Sequence, residues 1–188
     1  EICSSPEGQP PESRVLTALR VEDEGYTPKL RVRDPAGRTY VLKFDPSIPE
    51  KNSAAERVST LVLHAAGYNV PHNSIVSFRS SDLRLAKGAY YMDQVGKRRP
   101  LTRADLEDVL KKIKPLANGT YRGLASMFLP GKGTGKFKYT GTRKDDANDI
   151  IPHERRRELR GLRVIAAWIN HADTGEKNTY DAYVTLGG

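Results

Sequence analysis

Lys29-Leu30-Arg31-Val32-Arg33 alternates charged and apolar residues, Asp34-Pro35-Ala36-Gly37 interrupts it, and Arg38-Thr39-Tyr40-Val41-Leu42-Lys43-Phe44-Asp45 resumes the alternation. A period of two sends successive side chains to opposite faces, so both runs read as half-buried β-strands. The interruption has the chemistry of a turn: Asp34 can bond the backbone, Pro35 presets φ, and Gly37 accepts positive φ. Upstream, Val15, Leu16, Ala18, Leu19 and Val21 suggest a preceding strand, which completes a β-meander. Residues 1–12, with Pro6, Pro10 and Pro11 and little apolar content, read as a flexible tail, and order is expected to begin near Ser13.

Downstream, Asn52-Ser53 offers N-cap chemistry, Ala54 to Ala66 is rich in helix formers, and Gly67 stops the run. Val58, Leu61, Val62 and Ala65 recur at helical spacing and are expected to form its apolar face. A strand is expected over Ser74 to Phe78. Thr102 caps a second helix from Arg103 to Lys114, with acids in the first turns and Lys111 and Lys112 in the last, as the helix dipole favours. Tyr121 to Leu129 reads as a strand. The longest helix is expected from His153 to Asn170, with Leu159, Leu162, Ile165 or Ala166, and Ile169 inward and arginines outward. Tyr180 to Val184 reads as the last strand. The expected fold class is α+β, with 13–129 a sheet bearing helices and 130–188 a smaller, helix-led region.

Among 188 residues, 37% are hydrophobic and 29% charged, and mean hydropathy is −0.61, the make-up of a folded chain with a well-solvated surface. The longest apolar stretch, Val164 to Ile169, is far short of the roughly 20 residues a spanning helix needs, so membrane insertion is not expected. Cys3 has no partner in the chain, and His64, His72, His153 and His171 are too scattered for a zinc site. The net charge of +8 favours anionic partners: nucleic acid, phosphorylated ligands or acidic membranes. The densest basic clusters, Lys97-Arg98-Arg99 and Arg155-Arg156-Arg157, come without a recognition helix or an aromatic and basic sheet pattern, which leaves a nucleic-acid-associated domain as an alternative reading. Gly131 to Lys136 has the composition of a Walker A loop, but Pro130 replaces its first glycine and Phe137 its Ser/Thr, so a hairpin or interlobe loop is expected. Asp145, Asp146 and Asp149 lack the calcium-loop spacing and read as a turn ahead of the long helix.

His171-Ala172-Asp173-Thr174-Gly175-Glu176-Lys177-Asn178 lies between the longest expected helix and the last expected strand. A polar loop fixed between two buried elements is a common holder of catalytic side chains. Asp173 and Asn178 can converge there, the carboxylate to orient or deprotonate a hydroxyl and the amide oxygen to bind Mg²⁺. Structural alternatives stand beside these roles: Asp173 capping a turn, and Asn178 starting the next strand. Glu176 and Asp181 are further candidates for metal or substrate contact.

This segment resembles the catalytic loop of the protein-kinase-like fold, His-Arg-Asp-x-x-x-x-Asn, at its His, Asp and Asn. Val41-Leu42-Lys43 is similar to the kinase Val-Ala-Ile-Lys strand, and the helix that follows offers Glu56 as the partner of Lys43. The likeness is to atypical members, HipA-type, spore-coat CotH-type and phosphoinositide kinases. Gly67 to Pro71, Phe128 to Lys132, Asp145 to Asp149 and Arg157 to Arg163 are similar to segments of a group of bacterial proteins with no assigned activity.

The resemblance implies a two-lobe architecture, with an antiparallel N-lobe sheet plus one helix and a partial helical C-lobe. It implies ATP and Mg²⁺ as cofactors and transfer of a phosphoryl group to a hydroxyl acceptor. In that scheme Lys43 holds the phosphates, Glu56 positions Lys43, Asp173 is catalytic and Asn178 binds the metal. A pseudokinase-like binding or scaffold protein without turnover is the alternative. The chain departs from the pattern at Ala172, where the loop arginine would stand, at Lys177, and in having only Gly25 between the first two strands. The metal-binding Asp-Phe-Gly that follows the kinase loop would fall past Gly188, so the sequence is expected to stop short of it. The start at Glu1 reads as that of a processed or excised product.

Overall fold

The alternation around Lys29 and Lys43 becomes two antiparallel strands, β2 (Lys29–Arg33) and β3 (Thr39–Lys43), with Leu30 opposite Leu42 and Val32 opposite Tyr40. Asp34 closes their turn. Its carboxylate accepts the Arg38 amide at 2.8 Å and Arg38 Nε at 2.8 Å, and Gly37 donates to the Asp34 carbonyl at 3.0 Å with φ at +84°. The Tyr40 hydroxyl reaches the same carboxylate at 3.3 Å, and burial, reinforced by that negative charge, raises its pKa.

The computed structural model describes residues 11, 14–22, 29–45, 51–93, 95–128 and 131–183. Most of the expected tail, Gly25, the loop at residues 46–49 and Val184 lie outside the described residues. The chain divides into two units, 1–129 and 130–188.

In the first unit, β2 and β3 join β1 (Leu16–Glu22), β4 (Asn73–Phe78), β5 (Leu83–Met92), β6 (Arg98–Pro100) and β7 (Tyr121–Met127) in one sheet of order β4-β7-β3-β2-β1-β5-β6. The expected antiparallel sheet is in fact mixed, because β1 pairs in parallel with β5. The β5–β6 hairpin was not foreseen. Within β5 the alternation is broken at Gly88, whose φ is +77°, and the β1 register jumps from Ala18 opposite Leu85 to Arg20 opposite Tyr90.

Two helices accompany this sheet among the described residues, as the helical spacing suggests, where the kinase-like resemblance implies one. α2 (Arg103–Lys111) starts in a capping box, with Thr102 Oγ1 accepting the Asp105 amide and Asp105 Oδ2 accepting the Thr102 amide at 2.8 Å. Its Leu106, Val109 and Leu110, with Ile113 beyond it, join Leu16, Ala18, Leu30, Val32, Tyr40, Leu42 and Phe78 in the core. Strand alternation puts Lys43 on the opposite face from Leu42.

On that Lys43 face lies α1 (Lys51–Ala65), turned differently from expectation. Val58 and Leu61 are exposed by 58% and 38%, while Ser53, Thr60 and Leu63 are buried. The sheet surface beneath presents Lys43, Asn73 and Arg122 beside the buried Leu124. Polar groups left buried without partners cost about 1–3 kcal/mol each, so the helix offers Ser53, Glu56 and Thr60 to them. Nor does Asn52-Ser53 cap the helix, which already includes them. The carboxylate of Asp45 accepts the Asn52 and Ser53 amides at 3.1 and 3.0 Å.

In the second unit, Gly131 to Lys136 is not a loop. β8 (Lys132–Lys136) pairs antiparallel with β9 (Tyr180–Tyr183). The expected long helix is broken: a 3₁₀ turn at His153–Arg155 is followed by Arg156 in extended conformation, and α3 runs Arg157–Trp168. Leu159, Leu162, Ile165 and Ile169 are half-buried and Ala166 is buried, whereas Arg157, Arg160 and Arg163 face solvent as expected.

The break is fixed by Asp149. Its carboxylate accepts the Arg143 amide at 2.6 Å, meets His153 Nε2 at 2.7 Å and pairs with Arg156. The Arg143 amide first, then His153 and Arg156, hold the Asp149 pKa below the usual carboxylate value. His153 is buried, stacked on Phe137 at 4.4 Å, with Nδ1 2.5 Å from the Lys138 carbonyl.

Candidate functional site

Lys43 ends β3 and Glu56 stands on the second turn of α1, so a strand and a helix of different sequence regions deliver opposite charges to one point. Lys43 Nζ lies 2.5 Å from Glu56 Oε1, with the two side chains 35% and 32% exposed. Neither is sealed in the core. The pair is anchored from the sheet by Asn73, which donates from Nδ2 to Thr60 Oγ1 at 2.8 Å and to Glu56 Oε1 at 3.4 Å. Thr60 in turn donates to the Glu56 carbonyl at 2.7 Å. Asn73 is 1% exposed and its Oδ1 has no partner among the described residues.

One turn back, the Asp45 carboxylate takes the Ser53 hydroxyl at 2.6 Å, and Arg122 from β7 bonds Ser53 Oγ and lies 3.6 Å from Asp45. Two polar clusters, Asp45–Ser53–Arg122 and Lys43–Glu56–Asn73–Thr60, therefore fix the rotation of α1. Sequence reasoning found Lys43 and Glu56 through a resemblance. It missed Asp45, Arg122 and Asn73, whose pairings span the chain and leave no local pattern.

In the second unit, a 3₁₀ turn at Glu176–Asn178 folds the loop after α3 back on itself. Asn178 Nδ2 donates to the Asp173 carbonyl at 2.8 Å, and the Asn178 amide donates to the Gly175 carbonyl at 2.9 Å. A carbonyl only accepts, so the amide NH₂ must face it, and Oδ1, the atom a hard cation takes, lies on the other side. The loop thus brings Asn178 to the backbone of Asp173 and leaves the Asp173 side chain exposed.

Glu176 and Asp181 have structural partners. Glu176 Oε1 accepts the Tyr139 amide at 2.6 Å, and Asp181 pairs with Arg143 at 2.8 Å. Arg143 also grips Asp145, and the hydrogen bond from that arginine lowers the Asp145 pKa. A groove of about 460 Å³ runs along α3 beside the loop, with Leu159, Leu162 and Ala166 as apolar lining and His171 and Thr174 at the loop side.

Lys43 and Glu56 belong to the first unit, Asp173 and Asn178 to the second. Among the described residues no three His, Cys, Asp or Glu side chains gather as a metal group. Mg²⁺ is usually bound through one or two carboxylates together with phosphates and waters, and Asn178 Oδ1 would offer it a single neutral oxygen.

Among the described residues the fold is α+β, with a mixed seven-stranded sheet and two helices in one unit and a third helix and a two-stranded ribbon in the other. No protein-family model, no curated protein and no solved structure matches the chain. No helix among the described residues is long and apolar enough to cross a membrane.

Proposed function

We propose that this chain is a kinase-like protein that binds ATP with Mg²⁺ and passes a phosphoryl group to a hydroxyl acceptor. The observation that carries the reading is the Lys43–Glu56 contact of 2.5 Å between a third strand and the helix after it. Protein kinases hold their phosphate-binding lysine through a helix glutamate in the same manner. A half-exposed ion pair backed by a buried amide suits a lysine that is neutralised when empty and turned to phosphate when occupied. The bond from Asn178 to the Asp173 carbonyl supports the second half of the reading, because it ties the amide to the backbone of the residue that would orient the acceptor. In this scheme Lys43 contacts phosphate, Glu56 positions it, Asp173 orients the hydroxyl and Asn178 offers Oδ1 to the metal.

The test uses the thermal stability of the protein with and without Mg·ATP. At a nucleotide concentration near 100 Kd, binding adds about 2.7 kcal/mol. The expected result is a Mg²⁺-dependent rise in Tm that disappears in Lys43→Met. No rise in the parent protein refutes the reading. A rise without ³²P transfer, unchanged in Asp173→Asn, replaces it with a binding or scaffold protein that does not turn over.

A further inference from the structure

The register shift in β5 gathers charge on the open part of the Lys43 face. Arg20 is opposite Arg31 across β1 and β2, and opposite Tyr90 across β1 and β5. Like charges directly opposed on neighbouring strands are destabilising. Glu22 relieves part of this, pairing with Arg20 and with Arg31 at 3.2 Å. Arg20 Nη1 donates to the Tyr90 hydroxyl at 3.1 Å, and Arg98 lies over the Tyr90 ring at 4.9 Å. The bond from Arg20, with the charges of Arg98 and Arg31, lowers the Tyr90 pKa. Arg20 and Arg98 thus meet at the Tyr90 phenol, Arg31 stands opposite Arg20 with its guanidinium over the Phe128 ring at 4.6 Å, and Glu22 is the single carboxylate paired with them among the described residues. That leaves an excess of two positive charges before Lys29, opposite Glu22 in register, is counted. Nε of both Arg20 and Arg31 is shielded from solvent and without a partner among the described residues.

We propose that Arg20, Arg31 and Arg98 beside Tyr90 form a binding site for a phosphate monoester, a small dianion that offsets their excess charge. A phosphate carries about −1.5 to −2 charge at neutral pH with three acceptor oxygens, which matches the charge excess. Planar guanidiniums suit such a group better than ammoniums do. Tyr90 lies three strands from Lys43 on the same sheet, about 14 Å at the usual strand spacing, whereas Arg31, opposite Val41, stands on the strand next to that of Lys43. The site stands whether or not nucleotide binds at Lys43. The compact grouping favours a single phosphate over a long polyanion.

The experiment titrates the full chain with glycerol 3-phosphate and follows the arginine Nε–H resonances by NMR, with glycerol as the uncharged control. Saturable shifts of Arg20 and Arg31 are expected with the phosphate alone. Arg98→Gln, at an exposed position, is expected to weaken binding about tenfold, the worth of one charge-assisted hydrogen bond, without changing the melting temperature. The absence of saturable shifts overturns the proposal. So does binding lost in Lys43→Met and kept in Arg98→Gln, since the anion would then sit at Lys43. Salt-sensitive binding of a single-stranded oligonucleotide, with no response to glycerol 3-phosphate, replaces it with a nucleic-acid surface.

Discussion

Replacing Asp45 tests whether α1 is held by its polar network or by its apolar side chains. In Asp45→Ala the Asn52 and Ser53 amides lose their acceptor, a change of the same kind as removing an N-cap, which costs about 1 kcal/mol and up to about 2. The buried Ser53 hydroxyl loses a 2.6 Å bond worth about 1 kcal/mol. Arg122, 3.6 Å from the same carboxylate and mostly buried, loses a further favourable interaction of about 1 kcal/mol. The expected loss is about 3 kcal/mol, measured as a lower urea midpoint at constant slope. Asp45→Asn keeps an acceptor for the amides and is expected to lose only about half as much, because Asn caps helix starts as well as Asp does. A loss under about 1 kcal/mol for the alanine variant, or equal losses for both, refutes the reasoning. Glu56 lies one turn beyond Ser53, so the alanine variant is also expected to loosen the hold on Lys43 and weaken any stabilisation by Mg·ATP.

Other expected outcomes concern the core, the ion pairs and pH. Leu106→Ala, at a 1% exposed position between α2 and the sheet, should cost about 2–5 kcal/mol in chemical denaturation. Glu56→Gln should change stability by less than about 1 kcal/mol, since both partners of that pair are a third exposed, yet reduce the Mg·ATP shift in Tm. Gly123→Val should cost about 1–3 kcal/mol, because a Cβ there meets the Lys43 carbonyl at 3.1 Å and the Phe44 ring at 3.2 Å. Acid should weaken the second unit: the Asp149 pKa is lowered on folding, so its contribution is present above the ordinary value of about 3.9 and is lost as pH falls through the lowered one. Thermal melts between neutral pH and about pH 3 should show that loss in the parent and a shallower slope in Asp149→Asn.

What the sequence revealed followed how local the cause was. The strands β2 and β3 were legible because alternation and the Asp34 turn lie within seventeen consecutive residues, and α2 because Thr102 and Asp105 announce it. The rotation of α1 was not legible. Val58 and Leu61 make a convincing apolar stripe, and only the distant Asn73 and Arg122 explain why Ser53 and Thr60 are turned inward. The parallel partnership of β1 and β5 was hidden for the same reason, and with it the arginines around Tyr90. In the second unit, Arg156 carries no helix-breaking signature; Asp149 holds it through its side chain. At the candidate site, Lys43 with Glu56 was legible through a familiar motif, whereas the amide that supports them was not.

The parallel pairing also has a consequence for the order in which the chain is made. The strands β1, β2 and β3 pair with near neighbours and can assemble as soon as they emerge, leaving both outer edges bare. One edge waits for β5, from Leu16 to Leu83, and the other for β7, from Tyr40 to Met127. Contacts so distant in sequence form slowly, and bare strand edges invite pairing with other chains. A ribosome releasing this protein therefore makes most of the first unit before the partners of both meander edges exist. The charged Lys29, Arg31 and Arg33 on the middle strand disfavour its association with other chains in that interval.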